Sequence, residues 1–204
     1  MSDLHRKEYW NSRWKEGKTG WDLGMPSPPL LHLINTLNPG KSSRILIPGC
    51  GNAWEAEWLA DQGYTNITLA DIAPELCSIL EHRFAQTPEI TVRCVDFFDL
   101  KGPYDLILEQ TFFCAILPEL RERYVLKMKE LLSEQGILAG VLFDTDFPFE
   151  GPPFGGHADD YRDLFQQQFQ SIHFAPCRHS APPRAGTECL MVCSQQNLNP
   201  ELQF

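Results

Sequence analysis

Short runs of uninterrupted apolar residues alternate along this chain with segments that repeat apolar residues at helical spacing. The alternation predicts strands and helices in turn. Ile45-Leu46-Ile47 is the first such run, as expected of a parallel strand covered on both faces. Residues 67–71, 90–95, 104–109 and 137–143 repeat it. Between them, Pro74 opens a segment with Leu76, Ile79, Leu80 and Phe84 on one face, and Pro118 another with Leu120, Tyr124, Val125, Met128, Leu131 and Leu132. A short apolar helix over about 29–37 is stopped by Asn38-Pro39-Gly40, and a helix following Asn52 is closed by Gly63. Asn52 with Glu55 three places on reads as the cap of that helix.

The end of the chain changes pattern. After a helix near 158–168, two apolar runs at about 170–176 and 188–194 have only a loop between them, which predicts an antiparallel hairpin. The whole is an α/β fold of Rossmann-like type, a mostly parallel seven-stranded sheet closed by a C-terminal antiparallel hairpin. With 204 residues, one core and one domain over 1–204 are expected, residues 1–40 forming an N-terminal covering segment. That segment is charged but carries Tyr9, Trp10 and Trp14, and a helix over 3–16 puts both tryptophans on one face.

Charge and cysteine usage narrow the partners. A formal net charge of −10 argues against nucleic acid and for a small-molecule partner. Seven cysteines, mostly within apolar runs, fit a reducing, cytoplasmic setting. No Cys-x-x-Cys or His-Glu-x-x-His element supports a metal site. No run approaches the ~20 apolar residues that cross a membrane, and the first residues lack a signal-peptide core. A monomer is expected.

The chemistry is concentrated at strand ends, where open parallel sheets bind ligands. Pro48-Gly49-Cys50-Gly51 follows the first strand, and Asp71 ends the second about 20 residues on, the layout that holds an adenosine ribose. A dinucleotide fold needs a third glycine where this chain has Trp54. The indole opposes a pyrophosphate there and favours a phosphate-free adenosyl cofactor, S-adenosylmethionine. Asp71 would accept from the ribose hydroxyls. Asp96 would accept from the adenine amino group, with Phe97 on the ring. Glu109 is either a buried structural carboxylate or a group facing the methionine end of the cofactor. Aromatic residues around the mouth, among them Trp21, Phe112, Phe113 and Phe154, suit a sulfonium and a dry reacting centre.

The N-terminal block from Tyr9-Trp10 through Trp14 and Gly17 to Trp21-Asp22 resembles the thiopurine and thiol S-methyltransferase superfamily, which includes halide/thiol methyltransferases. Pro48 to Gly51, Tyr104 to Ile116 and Gly151 to Phe154 resemble further blocks in the same order. The resemblance implies a class I methyltransferase using S-adenosylmethionine. It places cofactor contacts on Trp10, Trp14, Gly49, Asp71, Asp96, Phe97 and Gln110 and sets Trp21 between cofactor and substrate; Cys50 and Gly51 of the same turn are further expected cofactor contacts, and Phe113 and Phe154 expected substrate contacts. The acceptor it implies is a small soft nucleophile: a thiol, hydrosulfide, thiocyanate, a halide or a thiopurine. In-line displacement by such a nucleophile requires no strong base, and none is assigned; His32 and His157 are candidates for assistance only. The competing readings are a nicotinamide-dependent oxidoreductase, opposed by Trp54, and a non-catalytic module that binds S-adenosylmethionine.

Overall fold

The structure is a computed structural model describing residues 3–200, 202 and 204. In chain order it contains α1 (Asp3–Lys15), α2 (Pro28–Leu37), β1 (Ile45–Pro48), α3 (Trp54–Asp61), β2 (Ile67–Asp71), α4 (Pro74–Arg83), β3 (Ile90–Cys94) and β4 (Tyr104–Gln110). It continues with α5 (Arg121–Leu131), β5 (Leu132–Phe143), α6 (Ala158–Phe165), β6 (Ser171–Pro176) and β7 (Glu188–Ser194). The strands form one seven-stranded sheet in the order β3-β2-β1-β4-β5-β7-β6. β1 to β5 are mutually parallel, and β7 runs antiparallel to both β5 and β6. Every expected strand is present, as is the closing hairpin.

Two-residue alternation along the strands divides the core. Ile45, Ile47, Leu106, Leu108, Leu190 and Val192 pack with α2, α3 and α4 on one face. Leu46, Ile107, Leu138, Met191 and Cys193 pack with α5 and α6 on the other. Strands buried on both faces read as unbroken apolar runs.

Three local expectations are revised. Asn52 does not cap α3: the position before the helix is Ala53 in the left-handed region, with no side-chain cap, and the Asn52 amide donates to Asp22 instead. The other end behaves as expected. Gly63 N–H donates to Ala60 O and Tyr64 N–H to Leu59 O, the paired bonds of a glycine-terminated helix. On α4, Ile79 is exposed at 48 %, while Cys77 joins Leu76 and Leu80 in the interior. Finally, β5 begins at Leu132 rather than after Gly136, with an irregularity in its pairing to Tyr104 and Leu106. Among the described residues, no helix is long and apolar enough to cross a membrane.

Candidate active site

A cavity of about 330 Å³ opens at the carboxyl ends of the parallel strands, within the range of small-ligand sites. Its floor follows the sheet: Asp96 just past β3, Asp71 at the end of β2, Gly49 and Gly51 past β1, Thr111 and Phe112 past β4, Phe143 at the end of β5. With strands ~4.8 Å apart, the floor spans about 19 Å from β3 to β5. Its roof comes from the N-terminal segment, including Trp10, Arg13, Trp14 and Trp21.

At the β1–β3 end the backbone sets the shape. Gly49 has φ +57°, and a Cβ there would stand 2.4 Å from the Phe112 ring, so the turn accepts only glycine. Its N–H donates to Ala70 O at 2.8 Å, tying the turn to β2. Asp71 Oδ1 accepts from Ala73 N–H at 2.9 Å. Burial raises the Asp71 carboxyl to about 6, against the pull of backbone N–H groups of Ala73, Ile72 and Gly51. Asp96 Oδ1 accepts from Phe98 N–H at 2.9 Å, so it caps the short 3-10 turn Phe97–Asp99 while also lining the cavity. Phe97 is 6 % exposed, stacks on Tyr124 and lines the cavity. Phe98, which the sequence did not single out, lines it as well.

The exit of β4 settles Glu109. Its carboxylate is fully buried: Oε1 accepts from the N–H groups of Phe112 and Phe113, each at 2.9 Å, and Oε2 from the Tyr124 hydroxyl. Burial pushes its carboxyl up to about 7 despite these donors. Glu109 therefore acts as the splint that turns the chain after β4, and it does not face the cavity.

That turn separates two adjacent phenylalanines, and several residues expected at the site do not line the cavity. Phe112 lines the cavity. Phe113, expected at the substrate, is 1 % exposed and packs among Tyr124, Tyr161 and Phe165, because the splinted turn directs it into the core beside α5 and α6. Gln110 leaves β4 on the opposite side from Glu109. Its Oε1 accepts from Ser27 Oγ at 2.6 Å and its Nε2 donates to Glu188 at 3.4 Å, so it links α2 to β7 away from the cavity. Cys50 is 8 % exposed and sits in the core between the two lining glycines. Phe154 stands behind Pro152 and Pro153, which do line the cavity; its N–H donates to Cys114 O and its carbonyl accepts from Arg121. His32 stacks on His179 and His157 lies near Asp144 and Asp146; neither lines the cavity.

The remaining expected residues converge on the roof. Trp10 and Trp14 both meet Trp21 edge to face, at 5.5 and 5.9 Å. Arg13 lies 5.6 Å from the Trp21 ring and lines the cavity. At the far end stands a residue that the sequence did not single out. Arg184, in the loop between β6 and β7, is 9 % exposed and lines the cavity beside Phe143. Its Nη2 donates to Trp21 O, and among the described residues its Nη1 has no hydrogen-bond partner, with Glu188 Oε1 at 3.7 Å. Of the charged lining residues, Asp71 and Asp96 stand at the exits of β2 and β3, Arg13 on α1 in the roof, and Arg184 in the β6–β7 loop. A lone arginine in a polar loop carries no pattern in the sequence.

This cavity fits an adenosyl cofactor lacking phosphates. A carboxylate at the end of β2 faces an apolar, aromatic space, and the glycine turn lets the backbone approach closely. Trp54, where a dinucleotide fold would have its third glycine, spends its N–H on Asp22.

Comparison with known proteins gives the same answer. The thiopurine S-methyltransferase family model matches residues 5–189. A probable thiol methyltransferase 2 of Arabidopsis thaliana is 30% identical over 187 residues, covering 89% of this chain and 82% of its own. A thiopurine S-methyltransferase of Photobacterium profundum is 30% identical over 175 residues, covering 78% and 81%. Among solved structures, the 1,6-didemethyltoxoflavin-N1-methyltransferase of Burkholderia thailandensis superposes with TM-score 0.73 at 17% identity, over 95% of this chain and 88% of the other. That likeness is one of fold. Together these findings displace the nicotinamide reading. The chain belongs to the thiopurine S-methyltransferase family, and it is an S-adenosylmethionine-dependent methyltransferase of small nucleophiles.

Proposed function

We propose that the acceptor is a small soft anion, a thiolate, hydrosulfide, thiocyanate, halide or thiopurine anion, methylated at the Arg184 end of the cavity. The carrying observation is Arg184 itself: a buried guanidinium with an unpaired nitrogen beside an aromatic cavity. Glu188 balances the Arg184 charge from 3.7 Å but leaves Nη1 without a hydrogen-bond acceptor among the described residues, and an anion seated in the cavity would supply one. Neither histidine nor carboxylate lines this end among the described residues; the nearest thiol, Cys114, is pushed up to about 12 by burial. An acceptor that arrives already ionised needs no base.

In this reading Asp71 holds the ribose, Asp96 and the Phe97–Phe98 edge hold the adenine, and Gly49 and Gly51 pass close to the cofactor. Bound S-adenosylmethionine supplies an electrophilic methyl group on a sulfonium sulfur. Trp10, Trp14 and Trp21 enclose that end, presenting aromatic surface to the cation and excluding water. Phe112, Phe143 and Arg184 orient the acceptor in line. Such alignment is worth up to ~7–11 kcal/mol in favourable cases. The N-terminal segment works as a lid, and the 204 residues act as one domain. We further read the enzyme as a cytoplasmic monomer without a nucleic-acid partner, consistent with seven free cysteines and a net charge of −10.

The test is a panel of iodide, thiocyanate, hydrosulfide, aromatic thiols and thiopurines with labelled cofactor, read by headspace and thiol-product analysis. Methylation of at least one soft anion, rising with its ionised fraction, is expected. Transfer confined to neutral nitrogen or oxygen acceptors would overturn the reading, and failure with every nucleophile would favour a non-catalytic module.

A further inference from the structure

Trp21 is held from two directions by groups outside its own segment. On one side its carbonyl accepts from Arg184 of the β6–β7 loop. On the other, the next residue reaches the start of α3. Asp22 Oδ1 accepts from the Trp54 indole N–H at 2.8 Å and from Gly24 N–H at 3.1 Å, and Oδ2 accepts from the Asn52 amide at 2.6 Å. Asn52 and Trp54 directly follow the glycine turn of the cofactor site. They are braced from behind: the Arg83 guanidinium of α4 lies 4.6 Å over the Trp54 ring and donates to Asn52 O at 2.7 Å.

We infer that Asp22 is a positioning residue that clamps the Trp21 segment to the turn beneath the cofactor, so that the lid closes only when both ends of the cavity are in register. Residues 21 and 22 connect the glycine turn to the loop carrying Arg184, and these are otherwise far apart in sequence. Burial raises the Asp22 carboxyl, but the donors Trp54, Gly24 and Asn52 outweigh it and hold the group below its ordinary value. It is therefore ionised at neutral pH, and its bonds to Trp54 and Asn52 are charge-assisted. α1 has a separate attachment, Asn11 Oδ1 accepting from Glu75 N–H at 2.8 Å. Loss of the clamp should thus loosen the Trp21 segment from the glycine turn, with the Arg184 bond to its carbonyl, the body and α1 left in place.

The inference rests on the division of the cavity into cofactor and acceptor ends. It is tested with Asp22→Asn, Trp54→Phe and the double variant, using S-adenosylhomocysteine and thiocyanate as probes. Asn cannot accept from both side-chain donors as a carboxylate does, and Phe keeps the ring while deleting the N–H. Each single variant should weaken S-adenosylhomocysteine binding and lower kcat about tenfold, the scale of one hydrogen bond to a charged group. The double variant should fall clearly short of the summed single effects, since both disturb the shared Asp22–Trp54 contact. Hydrogen exchange of residues 17–24 should rise in the bound state, with the Tm of the ligand-free protein unchanged. Unchanged binding and exchange, additive effects, or a fall in ligand-free Tm matching the loss of activity would each overturn the clamp. If exchange of 17–24 responds to Asp22→Asn but the unsubstituted protein binds no S-adenosylhomocysteine, the cofactor reading falls while the contact itself stands.

Discussion

The two ends of the cavity are built by different means. The end proposed for the cofactor is made from consecutive strand exits: Gly49 and Gly51, Asp71, Asp96 and Phe97 each stand within a few residues of the strand that delivers them. The end proposed for the acceptor is assembled from remote pieces: Trp21 before α2, Phe112 after β4, Phe143 at the end of β5, Pro152 and Pro153 in the next loop, and Arg184 between the last strands. The first end is carried by topology and the second by long-range contacts. Cofactor binding should therefore survive changes at the acceptor end other than at Trp21, which roofs both ends, and single residues there should control specificity.

The largest expected effect lies at the hinge between the two ends. Glu109→Ala leaves two buried N–H groups and the Tyr124 hydroxyl without their acceptor. At ~1–3 kcal/mol for each unsatisfied group, denaturant unfolding should show a loss of at least about 3 kcal/mol. A loss below 1 kcal/mol would mean that Phe112 is positioned by something else. Next in size, Asp71→Ala should weaken S-adenosylhomocysteine binding by about 1.5–3 kcal/mol, measured calorimetrically, with acceptor KM at saturating cofactor unchanged. An equal change in acceptor KM would merge the two ends.

A smaller, graded effect comes from pH. Burial raises Asp71 from 3.8 to about 6 and Glu109 from 4.5 to about 7. A carboxyl raised by folding stabilises the native state most below its unfolded pKa, and that contribution is lost as pH rises through the folded value. In the proposed site the ionised Asp71 accepts from the ribose, so affinity should move the opposite way. Between pH 7 and 5, S-adenosylhomocysteine affinity should fall, approaching about tenfold per unit below pH 6, while these two groups add stability. Asp71→Asn should flatten the affinity profile, and a profile that stays steep would assign the titration elsewhere.

This difference between the ends also explains what the sequence could reveal. Strands, strand-end carboxylates and the closing hairpin are local or periodic, and they were legible. The failures share a cause. Phe112 and Phe113 are chemically alike neighbours, and only the Glu109 splint decides which faces the cavity. Asn52 forgoes its expected cap because Asp22, thirty positions earlier, offers a charged acceptor. Gln110 turns from the cofactor toward Ser27 and Glu188, as strand alternation requires once Glu109 faces α5. Arg184 becomes notable only after folding buries it with an unpaired nitrogen.

The most direct test of the divided cavity is Arg184→Met, assayed for thiocyanate methylation and, separately, for S-adenosylhomocysteine binding. Thiocyanate KM at saturating cofactor should rise about tenfold or more, the scale of a lost charge-assisted contact, with a smaller loss of S-adenosylhomocysteine affinity from release of the Trp21 carbonyl. An affinity loss as large as the change in KM, or an unaltered thiocyanate KM, would contradict it.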